Sequence, residues 1–330
     1  MTIELNNIGM IKEAIVKIDG LTVIAGENDT GKSSLSKVLY TLIQSIRWAS
    51  NIHPTDDKNY VSQFNNYKNK LFENQISMNG DIKFYYDNNI TFKYKIGHDT
   101  CTKFTKSSEF QNELSKLYSP LFIETPFVWN LSRTLTTINS NHNLFSDIDF
   151  KIPFMMENLF SALNTETKSK VELNLNIQNI INGKFNKREF GDFYFERDDK
   201  EYKLTNVAMG IKYFGLFQVL EKNGHFYDGQ ILILDEPEVH LHPKWQLKMA
   251  EIIVELVKSG VKVLVNSHSP YMIEALKRYS EVEEIENKTN FYLAEEGYIT
   301  EQESLENIFE KLALPMRELK KLKMDRYLND

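Results

Sequence analysis

The stretch that most narrows what this chain can fold into is residues 21–49. Leu21-Thr22-Val23-Ile24-Ala25 is a short apolar run, the pattern of a strand buried on both faces. Gly26-Glu27-Asn28-Asp29-Thr30-Gly31-Lys32-Ser33-Ser34 follows at once, and then Leu35, Val38, Leu39, Leu42, Ile43 and Ile46 recur at helical spacing. Strand, glycine loop and helix in that order make a cradle for phosphate, because loop N–H groups can wrap an anion while the helix N-terminus points its dipole at it. Gly26 and Gly31 permit the turn and a close backbone approach. Asn28, Asp29 and Thr30 complete the loop around the phosphates. Lys32 is expected to reach the β and γ phosphates, Ser33 to ligate Mg²⁺ through its hydroxyl, and Ser34 to add a phosphate contact. The expected ligands are therefore ATP and Mg²⁺. A chance match in a glycine-containing loop is the competing reading, and the flanking strand and helix speak against it.

Two further strand ends point to the same chemistry. Ile231-Leu232-Ile233-Leu234 is an apolar strand that ends in Asp235-Glu236-Pro237-Glu238. A buried parallel strand ending this way puts Asp235 at the carboxyl edge of the sheet, where it can hold Mg²⁺ beside Ser33. Glu236 is then placed to polarise a water as general base. Taken alone, two acids after a strand read more readily as the cap of the next helix, but here they do not stand alone. Past a helix expected over residues 243–258, Val261-Lys262-Val263-Leu264-Val265-Asn266-Ser267 forms another buried strand and delivers His268 to the same edge. There its imidazole can sense the γ-phosphate or position the attacking water. His240 and His242 have the wrong spacing for two ligands on one helix face, so an interface role fits them better than zinc.

GENDTGKSS, ILILDEPEVHLHPKWQ and VLVNSHSP together resemble the ABC-type AAA ATPases of bacteria, a group close to the OLD-family ATPases and more distantly to the SMC and double-strand-break-repair ATPases. The resemblance covers roughly residues 1–50 and 190–312. It implies an α/β fold: a P-loop ABC-type ATPase lobe with a parallel core sheet, an antiparallel β-lobe and a helical insertion. The ATPase domain would comprise residues 1–50 and 190–330, with a β-hairpin and helical insertion over 51–189. It also implies a signature segment that completes the partner subunit's nucleotide site in a homodimer or higher oligomer. Leu204 to Gly215 resembles that segment, with Asn206, Gly210 and Lys212 as its expected phosphate contacts. Met209 departs from the pattern, since relatives commonly carry a small hydroxyl residue there and a thioether cannot donate a hydrogen bond.

Bulk properties bound the alternatives. No run of about 18 apolar residues occurs, and residues 1–6 read as a strand rather than a signal peptide, so no membrane partner is expected. Cys101 is the single cysteine, which excludes an intrachain disulfide and suits a reducing cytoplasm. A formal charge of -7 argues against a chain that coats nucleic acid through its overall field, although local basic patches stay open. One such candidate is the hairpin expected at residues 82–96 around Asp87-Asn88-Asn89, with one apolar face and lysines on the other; edge protection is the favoured reading of those lysines.

Helical segments are expected at residues 109–117 and 155–163, and a core strand at Leu121-Phe122-Ile123 whose end, Glu124 or Thr125, lies near the nucleotide. A second hairpin is expected over 191–203, and no long heptad run supports an SMC-like coiled coil. About 60 residues follow His268, too few for the nuclease domain that OLD-type nucleases carry, so any nuclease would be a separate effector partner. Three functions remain in view: an ATPase that switches a partner effector in a bacterial defence or toxin-like system, a DNA-repair or DNA-bridging ATPase, and a transporter subunit. The departure from the transporter form of the signature disfavours the last.

Overall fold

The computed structural model describes residues 1–52, 55–72, 78–87, 90–107, 117–131, 153–167, 173, 175–188 and 192–327. Asn88, Asn89, Gly191 and all but Leu117 of the helix expected at 109–117 lie outside them.

The strands are β1 (Thr2–Ile8), β2 (Ile11–Lys17), β3 (Leu21–Ala25), β4 (Met78–Tyr85), β5 (Thr91–Gly97), β6 (Thr100–Lys106), β7 (Leu121–Ile123), β8 (Lys184–Lys187), β9 (Phe193–Arg197), β10 (Lys200–Lys203), β11 (Ile231–Asp235), β12 (Lys262–Ser267), β13 (Thr289–Glu295) and β14 (Tyr298–Gln302). The helices are α1 (Lys32–Ile52), α2 (Asp57–Phe72), α3 (Phe154–Asn164), α4 (Ile177–Ile181), α5 (Met209–Lys222), α6 (Pro243–Lys258), α7 (Pro270–Val282), α8 (Glu306–Leu312) and α9 (Leu314–Tyr327).

One sheet runs through the molecule in the order β6-β5-β4-β1-β2-β14-β13-β3-β12-β11-β7. From β13 to β7 every neighbouring pair is parallel, and from β2 to β6 every pair is antiparallel. The two halves meet at β14, which is antiparallel to β13 and parallel to β2. A separate sheet, β10-β9-β8, packs against α5.

The period-two alternation of the central strands explains the layering. Val23, Leu232, Leu234, Val263 and Val265 turn to one face and join a core with residues of α5, α6 and α7. Ile24, Ile231, Ile233 and Leu264 turn to the other and meet Leu35, Val38, Leu39, Leu42, Ile43 and Ile46 of α1. Each of these central strands is therefore apolar throughout rather than alternating. In the antiparallel half one face suffices: Phe92, Tyr94, Ile96 and Phe104 are buried against Tyr60 and Phe64 of α2, while Lys93, Lys95 and Lys103 face outward. Both α6 and α7 start at a proline, whose missing N–H is no loss in a first turn, and Ser269 caps α7 by accepting from the Met272 N–H.

Candidate functional site

Register brings the predicted residues to one sheet edge. Ala25 pairs with Ser267, and Asp235 with Asn266, so the chain leaves β3, β11 and β12 side by side at their carboxyl ends. Gly26 begins the phosphate loop there, packed so tightly on β13 that an added Cβ would lie 2.4 Å from the Ala294 carbonyl oxygen. Gly31 sits at φ +97° with Ile11 close by, so both backbone conformation and space demand glycine. Asp29 also takes a left-handed conformation, at φ 66°. Glu27, Asn28 and Asp29 are exposed, Thr30 is half-buried with its hydroxyl donating to the Glu27 carbonyl, and Ser33 and Ser34 are half-buried in the first turn of α1.

Lys32 is buried at the head of α1 and its Nζ donates to the carbonyl oxygens of Gly26 at 2.9 Å and Glu27 at 2.6 Å. Burial lowers its pKa, and the charges of Glu236, Asp235, Glu238 and Glu27 pull the other way. Among the described residues no carboxylate comes within ion-pair distance of it, so an ammonium surrounded by acids holds only neutral acceptors in its loop. Together with the free N–H groups of the first turn of α1, this donor set fits a polyphosphate. The cation side of the site also fits: Ser33 Oγ lies 3.1 Å from Asp235 Oδ1, an oxygen pair of the type that holds Mg²⁺.

Asp235 does not stand free. Asn266 Nδ2 donates to its Oδ1 at 2.7 Å and to Ser36 Oγ at 2.8 Å, which ties β11, β12 and α1 together beneath the site. The next residue, Glu236, adopts φ 53°, a conformation that is rare for a side chain of this kind and that turns the chain sharply off the strand. Its N–H donates to the Asn266 carbonyl, and its carboxylate, about a third exposed, lies 3.4 Å from His268 Nδ1. His268 itself is 42% exposed at the side chain, so acid and imidazole both face solvent at the sheet edge.

Several residues that position this edge escaped the sequence reading. Glu238 is buried and accepts from Ser267 Oγ, the His268 N–H and the Ser269 N–H, all through Oε1. Gln246 links α6 to the same turn by accepting from Ser269 Oγ while donating to the Leu241 carbonyl. The only sequence trace of this network is its polar residues at strand ends, and local patterning cannot pair them across some 30 positions.

The segment expected to act as the signature packs beside the loop that follows β11. Asn206 is exposed in a short 3-10 turn, and α5 begins at Met209. Gly210 is buried against the loop after β11: a Cβ there would stand 3.2 Å from the His240 carbonyl, Leu241 and Trp245. Close packing within the subunit thus leaves little room for a side chain here. Lys212 is a correction to the expected phosphate contacts, because it is buried on the inner face of α5 and its Nζ donates to Asn130 Oδ1 at 2.7 Å. Its carbonyl accepts from Trp129 Nε1, so the residue anchors α5 to the segment after β7. His240 takes a left-handed conformation and His242 caps α6, its Nδ1 accepting from the Lys244 N–H. Glu124 follows β7 and pairs with Lys37 of α1 at 3.9 Å, beside the Asp235 strand.

Among the described residues no helix is long and apolar enough to cross a membrane. A computed likeness to solved structures pairs the chain with an SMC head bound to the C-terminal winged-helix domain of ScpA, at a TM-score of 0.53 and 12% identity, covering 94% of this chain and 98% of the other. The SMC head domain from Thermotoga maritima matches at a TM-score of 0.49 and 12% identity, covering 92% and 98%. Septu protein PtuA of Bacillus thuringiensis is 43% identical over 49 residues, which span 15% of this chain and 12% of that relative. The family model described as "AAA domain, putative AbiEii toxin, Type IV TA system" matches residues 21–274. With the strand-end motifs and the sheet order in place, the chain belongs to this AAA domain family and shares the fold of the SMC head.

Proposed function

We propose that the protein binds ATP with Mg²⁺, hydrolyses it to ADP and phosphate, and uses the cycle to dimerise and switch a separate effector. The observation that carries the reading is Glu236, turned by its φ of 53° off the strand that ends in the Ser33–Asp235 oxygen pair and held within 3.4 Å of His268. Lys32 and the first-turn N–H groups of α1 bind and orient the β and γ phosphates. Ser33 and Asp235 would hold Mg²⁺, which supplies charge neutralisation for the phosphoryl group. Glu236 accepts the proton of the attacking water, and His268 holds the Glu236 carboxylate in place and faces the γ-phosphate.

Closure in trans by residues 206–210 of a second copy is supported by the exposure of Asn206 and of the edge at Glu236 and His268. The family's description as a Type IV TA system component supports an effector-switching role in a bacterial defence or toxin-like setting. Two variants test the core of the reading. Lys32→Ala is expected to lose ATP binding, by fluorescent-nucleotide titration, while remaining folded. Glu236→Gln is expected to keep ATP binding and lose turnover, since an amide cannot accept the proton. Unchanged nucleotide affinity in the first variant, or wild-type turnover in the second, refutes it.

A further inference from the structure

Glu238 is the charged side chain beside this edge to which the chemistry above gives no part. It is 5% exposed, and a carboxylate is buried at considerable cost unless its lone pairs are used. Its two oxygens are used very unequally. Oε1 takes three donors, at 2.7 Å from Ser267 Oγ, 2.9 Å from the His268 N–H and 3.1 Å from the Ser269 N–H. Oε2 is buried and accepts no hydrogen bond. Three donors at Oε1 fix the turn 267–269 from which the His268 ring projects, and the same Oε1 lies 3.6 Å from His268 Nδ1. Glu236 Oε1 lies 3.4 Å from the same nitrogen. The ring nitrogen thus lies close to two carboxylates two residues apart, one buried and fixed, the other about a third exposed and in a strained backbone conformation.

The division of labour follows from those environments. Glu236 has to change its partner when water and phosphate enter, so it cannot by itself keep the imidazole in place. Glu238 cannot leave, because its three donors come from backbone and side chain of the neighbouring strand end. The charge also reaches further: Glu238 is among the acids acting on Lys32, and after burial it is the foremost influence on the Tyr213 hydroxyl of α5, which is buried without a partner. A carboxylate that served only to cap the turn would need one oxygen and no charge.

We infer that Glu238 is a positioning residue: it fixes the 267–269 turn and, through its charge, holds the His268 ring in the orientation that lets Glu236 act. The inference deepens the ATPase reading and rests on it for its kinetic consequence, but the geometric claim stands on the protein without nucleotide.

The test separates the two. Glu238→Gln can keep an acceptor oxygen for the three donors while removing the charge; Glu238→Ala removes both. In nucleotide-free protein, exchange of the His268 and Ser269 amide protons is expected to stay near wild type in Glu238→Gln and to accelerate in Glu238→Ala. The His268 ring proton resonance at a fixed pH is expected to move in Glu238→Gln, a readout that a cap for the turn alone would leave unchanged. With ATP, Glu238→Gln is expected to lower kcat about tenfold or more, with KM within about threefold, as loss of a group that orients a functional side chain does. A Glu238→Gln/His268→Ala double variant is expected to be no slower than His268→Ala, because the two residues act as one unit. An unmoved ring resonance in Glu238→Gln, or additive losses in the double variant, overturns the inference. A wild-type protein that fails to hydrolyse ATP refutes the proposed function instead, and the exchange and resonance measurements still decide the role of Glu238.

Discussion

A shared nucleotide site can be tested by complementation, and the structure dictates which signature residue to change. Gly210→Asp is a poor choice, since a Cβ there already meets His240, Leu241 and Trp245 at 3.2 Å and the variant would fail for reasons internal to the subunit. Met209 is the first residue of α5 and half-buried. An acid at a helix N-terminus is worth about 0.3–1 kcal/mol of stabilisation, so Met209→Asp should fold at least as well as the parent. Facing a partner's γ-phosphate, the same carboxylate opposes closure by about 4 kcal/mol per unit charge at 4 Å in an effective dielectric of about 20. That is roughly a thousandfold in the dimer equilibrium for each site. Met209→Asp should therefore bind ATP as a monomer and not hydrolyse it, whereas Lys32→Ala should fail to bind. Mixed after subunit exchange, the two restore one site, with the phosphate loop from the Met209→Asp chain and the signature from the Lys32→Ala chain. Each mixed dimer has one intact site of two, so phosphate release should return only in the mixture, at up to about half the wild-type rate per mixed dimer. Continued inactivity despite exchange, shown by mass-labelled subunits, refutes a site shared in this way.

Gly215→Ala should destabilise the fold by about 1–3 kcal/mol in urea unfolding. The added methyl would sit 2.4 Å from the Phe185 ring, which is already packed between Trp129 and Phe195 and has nowhere to go. Asn266→Asp places a second carboxylate against Asp235 in a buried site and should cost about 3 kcal/mol or more at neutral pH. Burial and the like charge raise the new group's folded pKa above its unfolded one, so the deficit should shrink as pH falls and grow as it rises, in thermal melts across pH 5–8. Cys101, buried and with its thiol pushed up to about 11, should resist a thiol reagent at pH 8 in the native protein and react fully in denaturant. Rapid native labelling would show that β6 opens readily.

The parts legible in the sequence are those whose physics is local. β3, β11 and β12 are covered on both faces and so read as unbroken apolar runs, and α6 and α7 carry proline at their first turn. Those runs lead to Gly26, Asp235 and His268, which is why the residues of this sheet edge could be listed before its geometry was known. α2 was not legible, since Tyr60, Phe64, Tyr67 and Phe72 are scattered among asparagines and lysines that dilute its amphipathic pattern. The inward turn of Lys212 was hidden for a different reason: its acceptor, Asn130, lies far away in sequence and no spacing rule connects them. The same holds for Asn266 and Glu238, whose partners are set by strand register.

The register that builds the phosphate loop also sets when in its own synthesis the protein can first hold a nucleotide. β3 emerges from the ribosome well ahead of its neighbours on either side, which are β12 and β13, residues 262–267 and 289–295. At ordinary elongation rates of about 5–20 residues per second, the loop waits on the order of ten to fifty seconds for the strands that shape it. During that interval the β1–β2 hairpin can form, but the apolar run at 21–25 lacks both of the strands it pairs with. Pairing over so long a separation makes folding slow and leaves an aggregation-prone segment uncovered meanwhile. Nascent chains arrested before residue 262 should accordingly be unable to bind ATP, so the nucleotide cannot serve as an early template for folding and can only stabilise a sheet that is already closed.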